Sequence, residues 1–190
     1  MADRLKNVER RTFVSDASRH ENSAEHSWHL ALAVLLFADY ARDQNIDIAR
    51  ALQLALVHDL VEIEAGDTYV YDAAASATQT MREQEAAHVV FGVLPDAQGA
   101  QFRSWWDEFE DLKTPEARFV RALDRMLPLF LNFVTQGTAW VEHQIRADQV
   151  RELNLPAMEE VPELREYCEG LIKEAEKRGF LRPAENSDAV

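Results

Sequence analysis

The chain has 190 residues, of which 47% are hydrophobic and 28% are charged, and its formal net charge is −14 at pH 7. This length predicts a single domain, and the composition excludes disorder over most of the chain. The acidic balance argues against binding to a nucleic-acid polymer or a membrane surface, but it still allows a small phosphorylated substrate. The single cysteine, Cys168, excludes an internal disulfide framework, and no signal peptide or apolar segment long enough to span a bilayer stands out. We therefore expect a cytoplasmic protein.

Helical periodicity dominates the chain and no segment shows the alternation of a strand, which predicts an all-α bundle of about seven to eight helices. A short first helix is predicted over about residues 2–10, followed by an irregular stretch from Thr12 to Glu21. Asn22 and Glu25 have the spacing of a capping box, so a second helix is expected to begin there and to end near residues 44–45.

Asp47 is the predicted N-cap of a third helix, which continues to Ala65. Its middle is apolar nearly all round, so we expect it at the centre of the fold. Residues 66–78 are predicted to form a loop. Further helices are predicted over roughly residues 80–94, 97–111, 115–136, 138–153 and 162–178. A single domain is expected over residues 1–181, with a disordered tail over residues 182–190.

Several residues with side chains that bind metals lie in or beside these apolar helices. His58 and Asp59 are adjacent within the third predicted helix, where a buried pair costs desolvation energy unless it has a partner. A hydrogen-bonded core histidine beside an aspartate would explain this pair alone. A metal site is favoured by His26 in the first turn of the preceding helix, by Asp124 in an apolar stretch, and by Glu62 on the helical face of His58. Imidazole and carboxylate ligands together favour Mn, Fe, Co or Zn, with Mg also possible.

The order of these residues resembles the HD-domain metal-dependent phosphohydrolases. The segments ENSAEHS, HDLVEIEAGD and TPEARFVRALD resemble signature blocks of the 5′-deoxynucleotidase-like branch of that superfamily. The resemblance covers roughly residues 5–135. It implies a helical fold around one divalent metal ion and the cleavage of phosphate monoesters. It also implies that the metal ligands are His26, His58, Asp59 and Asp124.

The same resemblance implies roles for three further residues. Glu62 corresponds to the catalytic carboxylate, Asp67 to the aspartate that contacts the sugar, and Arg11 to the arginine that holds the phosphate. In the best-known bacterial members a tryptophan follows this arginine and helps to exclude ribonucleotides, whereas this chain has Thr12. Glu62 would then orient or deprotonate a water, and Arg11 would form a bidentate clamp on phosphate oxygens. Because Thr12 stands where those members have a tryptophan, we expect only limited selectivity for deoxynucleotides over ribonucleotides.

Arg19 and His20, in the irregular stretch, are further candidates for contacting the phosphate. His29 is interpreted as a core or interface histidine. Only one histidine, His88, lies between the His-Asp pair and Asp124, which disfavours a site with two metals. We also expect a homodimer, because the chain has four tryptophans and apolar area to cover.

Three functions are compatible with these features. The leading hypothesis is a phosphatase that converts nucleoside 5′-monophosphates into nucleoside and phosphate. A second is hydrolysis of another nucleotide, such as a guanosine alarmone or a nucleoside triphosphate, which would need more basic residues than this acidic chain provides. A third is an inactive, metal-bound regulatory domain, and Glu62 argues against it because a structural metal site needs no such carboxylate.

Overall fold

The structure is a computed structural model that describes residues 1–41 and 45–184. This described part contains ten α-helices and one two-stranded sheet, which confirms the all-α fold class and adds helices to the predicted seven or eight. The elements in chain order are a 3-10 helix (Ala2–Asn7), β1 (Glu9–Phe13), β2 (His20–Asn22), α1 (Ser23–Leu36), α2 (Ala38–Ala41), α3 (Ile48–Val57), α4 (Glu62–Ala65), α5 (Ala73–Phe91), α6 (Asp96–Asp111), α7 (Pro115–Val134), α8 (Thr138–Glu142), α9 (Ala147–Asn154), a second 3-10 helix (Leu155–Met158) and α10 (Pro162–Lys177).

Two compact units are distinguished by the contacts within the chain. The first unit comprises residues 1–11 and 21–120, and the second comprises residues 12–20 and the chain from residue 121 onward. Within the described residues, no helix has the length and apolar character needed to cross a membrane. The expectation of a single domain over residues 1–181 stays a prediction.

The N-terminal segment departs from the predicted helix. The 3-10 helix ends at Asn7, and β1 begins at Glu9 and pairs with β2. Side chains along β1 alternate, with Glu9 and Arg11 exposed and Thr12 buried. Three consecutive charged residues obscure this alternation in the sequence, and the pairing partner lies beyond a turn. The prediction that no strand occurs was therefore wrong.

Helix α1 begins as predicted. The Asn22 Oδ1 atom accepts a hydrogen bond of 2.9 Å from the Glu25 backbone N–H, and the Glu25 carboxylate accepts one of 3.2 Å from the Asn22 N–H. This capping box satisfies two of the donors that a helix N-terminus leaves unpaired. The helix ends at Leu36 and α2 follows, whereas a single helix to residues 44–45 was predicted. Residues 42–44 of that prediction lie outside the described residues.

The predicted third helix is divided at its centre. Asp47 caps α3 as expected, since its Oδ1 accepts hydrogen bonds from the N–H groups of Ala49 and Arg50. Helix α3 ends at Val57, and the next four residues form turns closed by backbone hydrogen bonds between residues three apart, of which that from Glu62 N–H to the Asp59 carbonyl is 3.0 Å. These tighter turns rotate the chain differently from an α-helix. They therefore change the directions of the side chains between α3 and α4.

The first unit packs α1 against α3, α3 against α6, and α4 against α5. Helix α5 begins at Ala73, so the second half of the predicted loop over residues 66–78 is helical. Helix α6 lies within one residue of its predicted bounds and buries Trp106 and Phe109. A buried apolar cluster joins these elements, formed by Leu5, Val57, Val61, Ile63, Ala86, Ala87, Val90, Phe91 and Trp106.

The second unit contains the rest of α7 from residue 121 and the helices α8, α9 and α10. The predicted helix over residues 138–153 is divided into α8 and α9 at Gln144. The φ angle of Gln144 is 59°, which a right-handed helix does not allow. Arg182 exchanges backbone hydrogen bonds of 2.9 and 3.0 Å with Ile145 and Ala147. Residues 185–190 of the predicted tail lie outside the described residues.

Candidate active site

Two histidines from different helices meet in the first unit. His26 lies in the first turn of α1 and has no exposed surface, and His58 directly follows α3 and is also buried. A ring nitrogen of one lies within 4.8 Å of a ring nitrogen of the other, and the ring centroids are 5.4 Å apart. The packing of α1 against α3 brings them together, so two residues predicted as metal ligands are neighbours in space.

His58 is oriented by its surroundings. Its Nδ1 lies 2.9 Å from the carbonyl oxygen of Ala55, which favours the tautomer that donates from Nδ1. The ring also contacts the edge of Phe109, with a centroid distance of 5.0 Å. Its Nε2 is 3.0 Å from the Asp59 Oδ1. Nε2 of His58 and a carboxylate oxygen of Asp59 are therefore adjacent, as two ligands of one ion would be.

Asp59 is held as a carboxylate. Arg10 donates a hydrogen bond of 2.9 Å from Nη1 to the Asp59 Oδ2. Burial alone would raise the pKa of Asp59, but the charges of His58 and Arg10 outweigh it and lower the pKa to about 2. Asp59 therefore carries its negative charge at neutral pH, which is the form that binds a metal.

Glu62, the predicted catalytic carboxylate, is buried at the start of α4. Ser23 at the beginning of α1 donates a hydrogen bond of 2.6 Å from Oγ to the Glu62 Oε2. Burial, reinforced by the negative charge of Asp59, raises the pKa of Glu62 well above its ordinary value. A carboxylate with a raised pKa is a better proton acceptor, which suits a general base.

Asp67 lies half-buried in the loop that follows Gly66. Its Oδ1 is 4.0 Å from the Arg10 Nη1. Burial raises the pKa of Asp67, while the charges of Arg10 and Arg11 act in the opposite direction. Asp67 therefore shares an electrostatic environment with the Asp59 carboxylate.

Arg11, the predicted phosphate ligand, is exposed on β1. Its charge is close enough to lower the pKa of Asp67. The preceding residue, Arg10, has only 14% of its side chain exposed and contacts the carboxylates of Asp59, Glu21 and Asp67. The two arginines thus differ in environment: one is enclosed by carboxylates and the other is accessible.

Two charged residues near His26 and Asp59, namely Arg10 and Glu21, were not predicted from the sequence. Glu21, at the centre of β2, has 3% of its surface exposed and lies 3.7 Å from the Nδ1 of His26. Arg10 was expected in a helix over residues 2–10, and Glu21 was expected in the irregular stretch after it. Neither expectation predicts that these side chains face the interior. Only the pairing of β1 with β2 turns Arg10 inward, and the sequence does not specify that pairing.

The remaining candidates belong to the second unit. Asp124, on α7, is 9% exposed and accepts a hydrogen bond of 3.4 Å from Arg121. Arg19 is exposed and donates to the carbonyl of His20, whose ring lies 4.2 Å from that of Phe13. Thr12 is buried. Their predicted roles stay predictions.

The residues in the first unit fit a divalent metal ion. The buried ring nitrogens of His26 and His58 and the ionised carboxylate of Asp59 are donors that Mn, Fe, Co and Zn accept. Burial raises the pKa of Glu62 and of Asp67, and a bound cation beside them would favour their ionised forms.

Comparisons with known proteins show which family this chain is similar to. The sequence profile of the HD domain matches residues 2–165. Among solved structures, a predicted metal-dependent phosphohydrolase from Magnetospirillum magnetotacticum MS-1 is 43% identical, with a TM-score of 0.90 over 96% of this chain and 91% of that one. A protein from Pyrococcus horikoshii OT3 is 25% identical, with a TM-score of 0.59 over 93% of this chain and 95% of that one.

Curated relatives agree with the structural ones. The 5′-deoxynucleotidase HDDC2 of Danio rerio is 29% identical over 127 residues, which are 66% of this chain and 62% of the relative. The Homo sapiens protein of the same name is also 29% identical, over 66% of this chain and 60% of the relative. The match thus spans somewhat less than two thirds of the length of these relatives. Because the HD domain profile covers most of the sequence, this chain belongs to the HD domain family.

Proposed function

We propose that this chain is a metal-dependent phosphohydrolase that converts nucleoside and deoxynucleoside 5′-monophosphates into nucleoside and inorganic phosphate. The observation that carries the proposal is a buried Glu62, hydrogen-bonded to Ser23 and electrostatically coupled to Asp59. A site that only binds a metal for stability has no use for this carboxylate. The substrate class is supported by the relatives named 5′-deoxynucleotidase.

In this proposal, His26, His58, Asp59 and Asp124 hold one divalent ion, with Mn, Co, Fe or Zn favoured and Mg possible. The ligand chemistry supports it, because the buried ring nitrogens of His26 and His58 are donors that these metals accept. A bound divalent ion would polarise the phosphoryl oxygen and activate water for attack. The side chains of the protein would then transfer the proton and bind the substrate.

Glu62 receives the proton of the attacking water. Ser23 donates to Oε2, so Oε1 is the oxygen to which we assign the proton. The raised pKa of Glu62 favours its protonated form, from which the proton can pass to the leaving nucleoside oxygen. Ser23 and Glu62 are both buried, so the hydrogen bond between them keeps the carboxylate in one orientation.

Arg11 binds the phosphate and Asp67 accepts a hydrogen bond from a sugar hydroxyl. The exposure of Arg11 supports its role, because an accessible guanidinium can form two parallel hydrogen bonds with phosphate oxygens. Arg19 and His20 are proposed as further phosphate contacts. Arg10 has a different role, since its guanidinium is already engaged by carboxylates.

Thr12 sets a limit on the selectivity for deoxynucleotides. A threonine lacks the bulk of an indole, and a pocket that is only partly filled discriminates by about 1–3 kcal/mol. We expect deoxynucleotides to be preferred over ribonucleotides by no more than ~100-fold in kcat/KM. The comparison of matched deoxy and ribo 5′-monophosphates tests this, and Thr12→Trp should increase the preference. Strict rejection of ribonucleotides by the wild type would contradict it.

The decisive experiment is a phosphate-release screen on metal-stripped protein reconstituted with Mn, Co, Mg or Zn. The substrates are nucleoside monophosphates, nucleoside triphosphates, a guanosine alarmone and sugar phosphates. We expect release from the 5′-monophosphates in a metal-dependent manner. Activity confined to triphosphates or the alarmone would replace the proposed substrate class, and no release from any substrate would exclude the phosphatase.

We further propose that the protein works as a homodimer in the cytoplasm. Helix α1 presents large exposed apolar side chains, among them Trp28, Leu35 and Leu36, which a second subunit would cover. Light scattering coupled to size-exclusion chromatography measures the mass directly, and a monomer would contradict the proposal.

A further inference from the structure

Glu21 is a buried carboxylate to which neither the fold nor the proposed mechanism gives a role. It lies in β2, directly before the capping box of α1, in which Asn22 and not Glu21 serves as the cap. Its side chain is almost fully buried, and its Oε2 lies 3.7 Å from the His26 Nδ1 and 3.8 Å from the Arg10 Nε. Burying a carboxylate is expensive, so its retention beside a histidine of the site needs an explanation.

We propose that Glu21 is a positioning residue for the metal ligand His26, an inference that rests on the proposed metal site. Its carboxylate lies 3.7 Å from the His26 Nδ1, beyond hydrogen-bond distance, and its charge favours the tautomer that carries the proton on Nδ1 and presents Nε2 as the ligand atom. The carboxylate also makes that nitrogen more basic, so the metal is bound more tightly.

The comparison with His58 supports this role. His58 has its Nδ1 beside the carbonyl of Ala55, an acceptor that is uncharged and belongs to the backbone. His26 has its Nδ1 beside the carboxylate of Glu21. Each buried histidine thus has an oxygen atom beside the same ring nitrogen, at 2.9 Å for His58 and at 3.7 Å for His26. The two oxygens differ in distance and in charge, and only the oxygen beside His26 belongs to a side chain that mutation can change.

Arg10 links Glu21 to the second half of the site. Its Nε faces Glu21, and its Nη1 donates to Asp59. A guanidinium can contact two carboxylates from different nitrogens in a fixed plane, which a lysine ammonium cannot do. Arg10 therefore holds the positioning carboxylate of His26 and the carboxylate of Asp59 in a fixed relation.

The test measures metal affinity in the absence of substrate. Metal-stripped wild type and Glu21→Gln are titrated with Mn²⁺, and free Mn²⁺ is followed by electron paramagnetic resonance. Glu21→Gln should weaken Mn²⁺ binding by about 10–100-fold. Glu9→Gln, which alters an exposed carboxylate on the neighbouring strand, serves as the control and should bind as the wild type does. An affinity of Glu21→Gln within twofold of the wild type would overturn the proposal.

A second measurement needs no variant and covers the case in which Glu21→Gln fails to fold. In Zn²⁺-loaded, ¹⁵N-histidine-labelled wild type, the His26 ring should carry its proton on Nδ1 and bind zinc through Nε2. Zinc bound through Nδ1 would overturn the proposal. Neither measurement uses a substrate, so both remain interpretable if the protein proves not to be a phosphatase. If the wild type binds no divalent ion, both the metal site and the role of Glu21 are overturned.

Discussion

Two arginine clusters, one in each compact unit, use the same chemistry in different surroundings. In the first unit, Arg10 contacts Glu21 and Asp59, and 14% of its side chain is exposed. In the second unit, Arg151 on α9 joins two glutamates of α10, Glu169 and Glu176, and 29% of its side chain is exposed. Water screens the second cluster and stabilises each of its charges separately.

The difference in exposure decides what each cluster can do. The buried carboxylate of Asp59 has its pKa moved to about 2, and Glu62 beside it has its pKa raised. Such opposite pKa shifts favour different protonation states in neighbouring groups, as acid–base catalysis requires. The Arg151 cluster joins α9 to α10 and contributes only modestly to stability. Opposite pKa shifts of neighbouring buried carboxylates therefore point to the site.

The largest expected effect concerns the metal ligands. Each of the variants His26→Ala, His58→Ala, Asp59→Ala and Asp124→Ala should lose the metal, because each removes one donor from the proposed site of four. Metal content after dialysis is measured by inductively coupled plasma mass spectrometry. His88→Ala, an exposed histidine on α5, is the control and should retain the metal. Unchanged metal content in all four variants would show that the site is misassigned.

The next effect concerns proton transfer. Glu62→Gln should keep the metal and the fold but lower kcat by about 10²–10⁴, the range for loss of a general acid–base group. Glu64→Gln is a matched control, because Glu64 lies two residues further along α4 and is exposed. Full activity of Glu62→Gln would remove Glu62 from the mechanism and leave the metal site intact.

Removing the buried arginine should destabilise the protein strongly. In metal-free protein, Arg10→Ala leaves the carboxylates of Glu21 and Asp59 buried without their counter-charge, which is expected to lower the free energy of unfolding by about 3–5 kcal/mol. Urea denaturation monitored by circular dichroism gives this quantity. A loss below about 1 kcal/mol would mean that water reaches the Arg10 cluster. The Arg10 and Arg151 clusters would then not differ in how strongly water screens their charges.

The smallest effect is expected for the exposed arginine. Arg151→Ala should change the free energy of unfolding by about 1 kcal/mol or less and leave kcat unchanged, because partly exposed ion pairs contribute little. The same denaturation experiment applies, together with the phosphate-release assay. A loss as large as that of Arg10→Ala would show that burial does not distinguish the clusters.

The sequence by itself determined features that depend on near neighbours in the chain. The capping box of Asn22 and Glu25 and the N-cap Asp47 were predictable, because a cap needs only a side chain two or three residues from the N–H groups that it satisfies. The all-α class followed in the same way from periodicity. The proposed ligand residues were selected from their order along the chain and from the apolar segments that surround them, and their role stays a prediction.

Only the tertiary structure decided which charged residues face the site. The pairing of β1 with β2 directs Arg10 inward and leaves Arg11 exposed, and a strand needs a partner that local patterns do not specify. The division of the central helix at His58 likewise depends on turns within a packed core, where tertiary contacts override helix propensity. Glu21 acquires its neighbour His26 only when the hairpin folds against α1, because a contact with an imidazole is a property of position in space and not of composition.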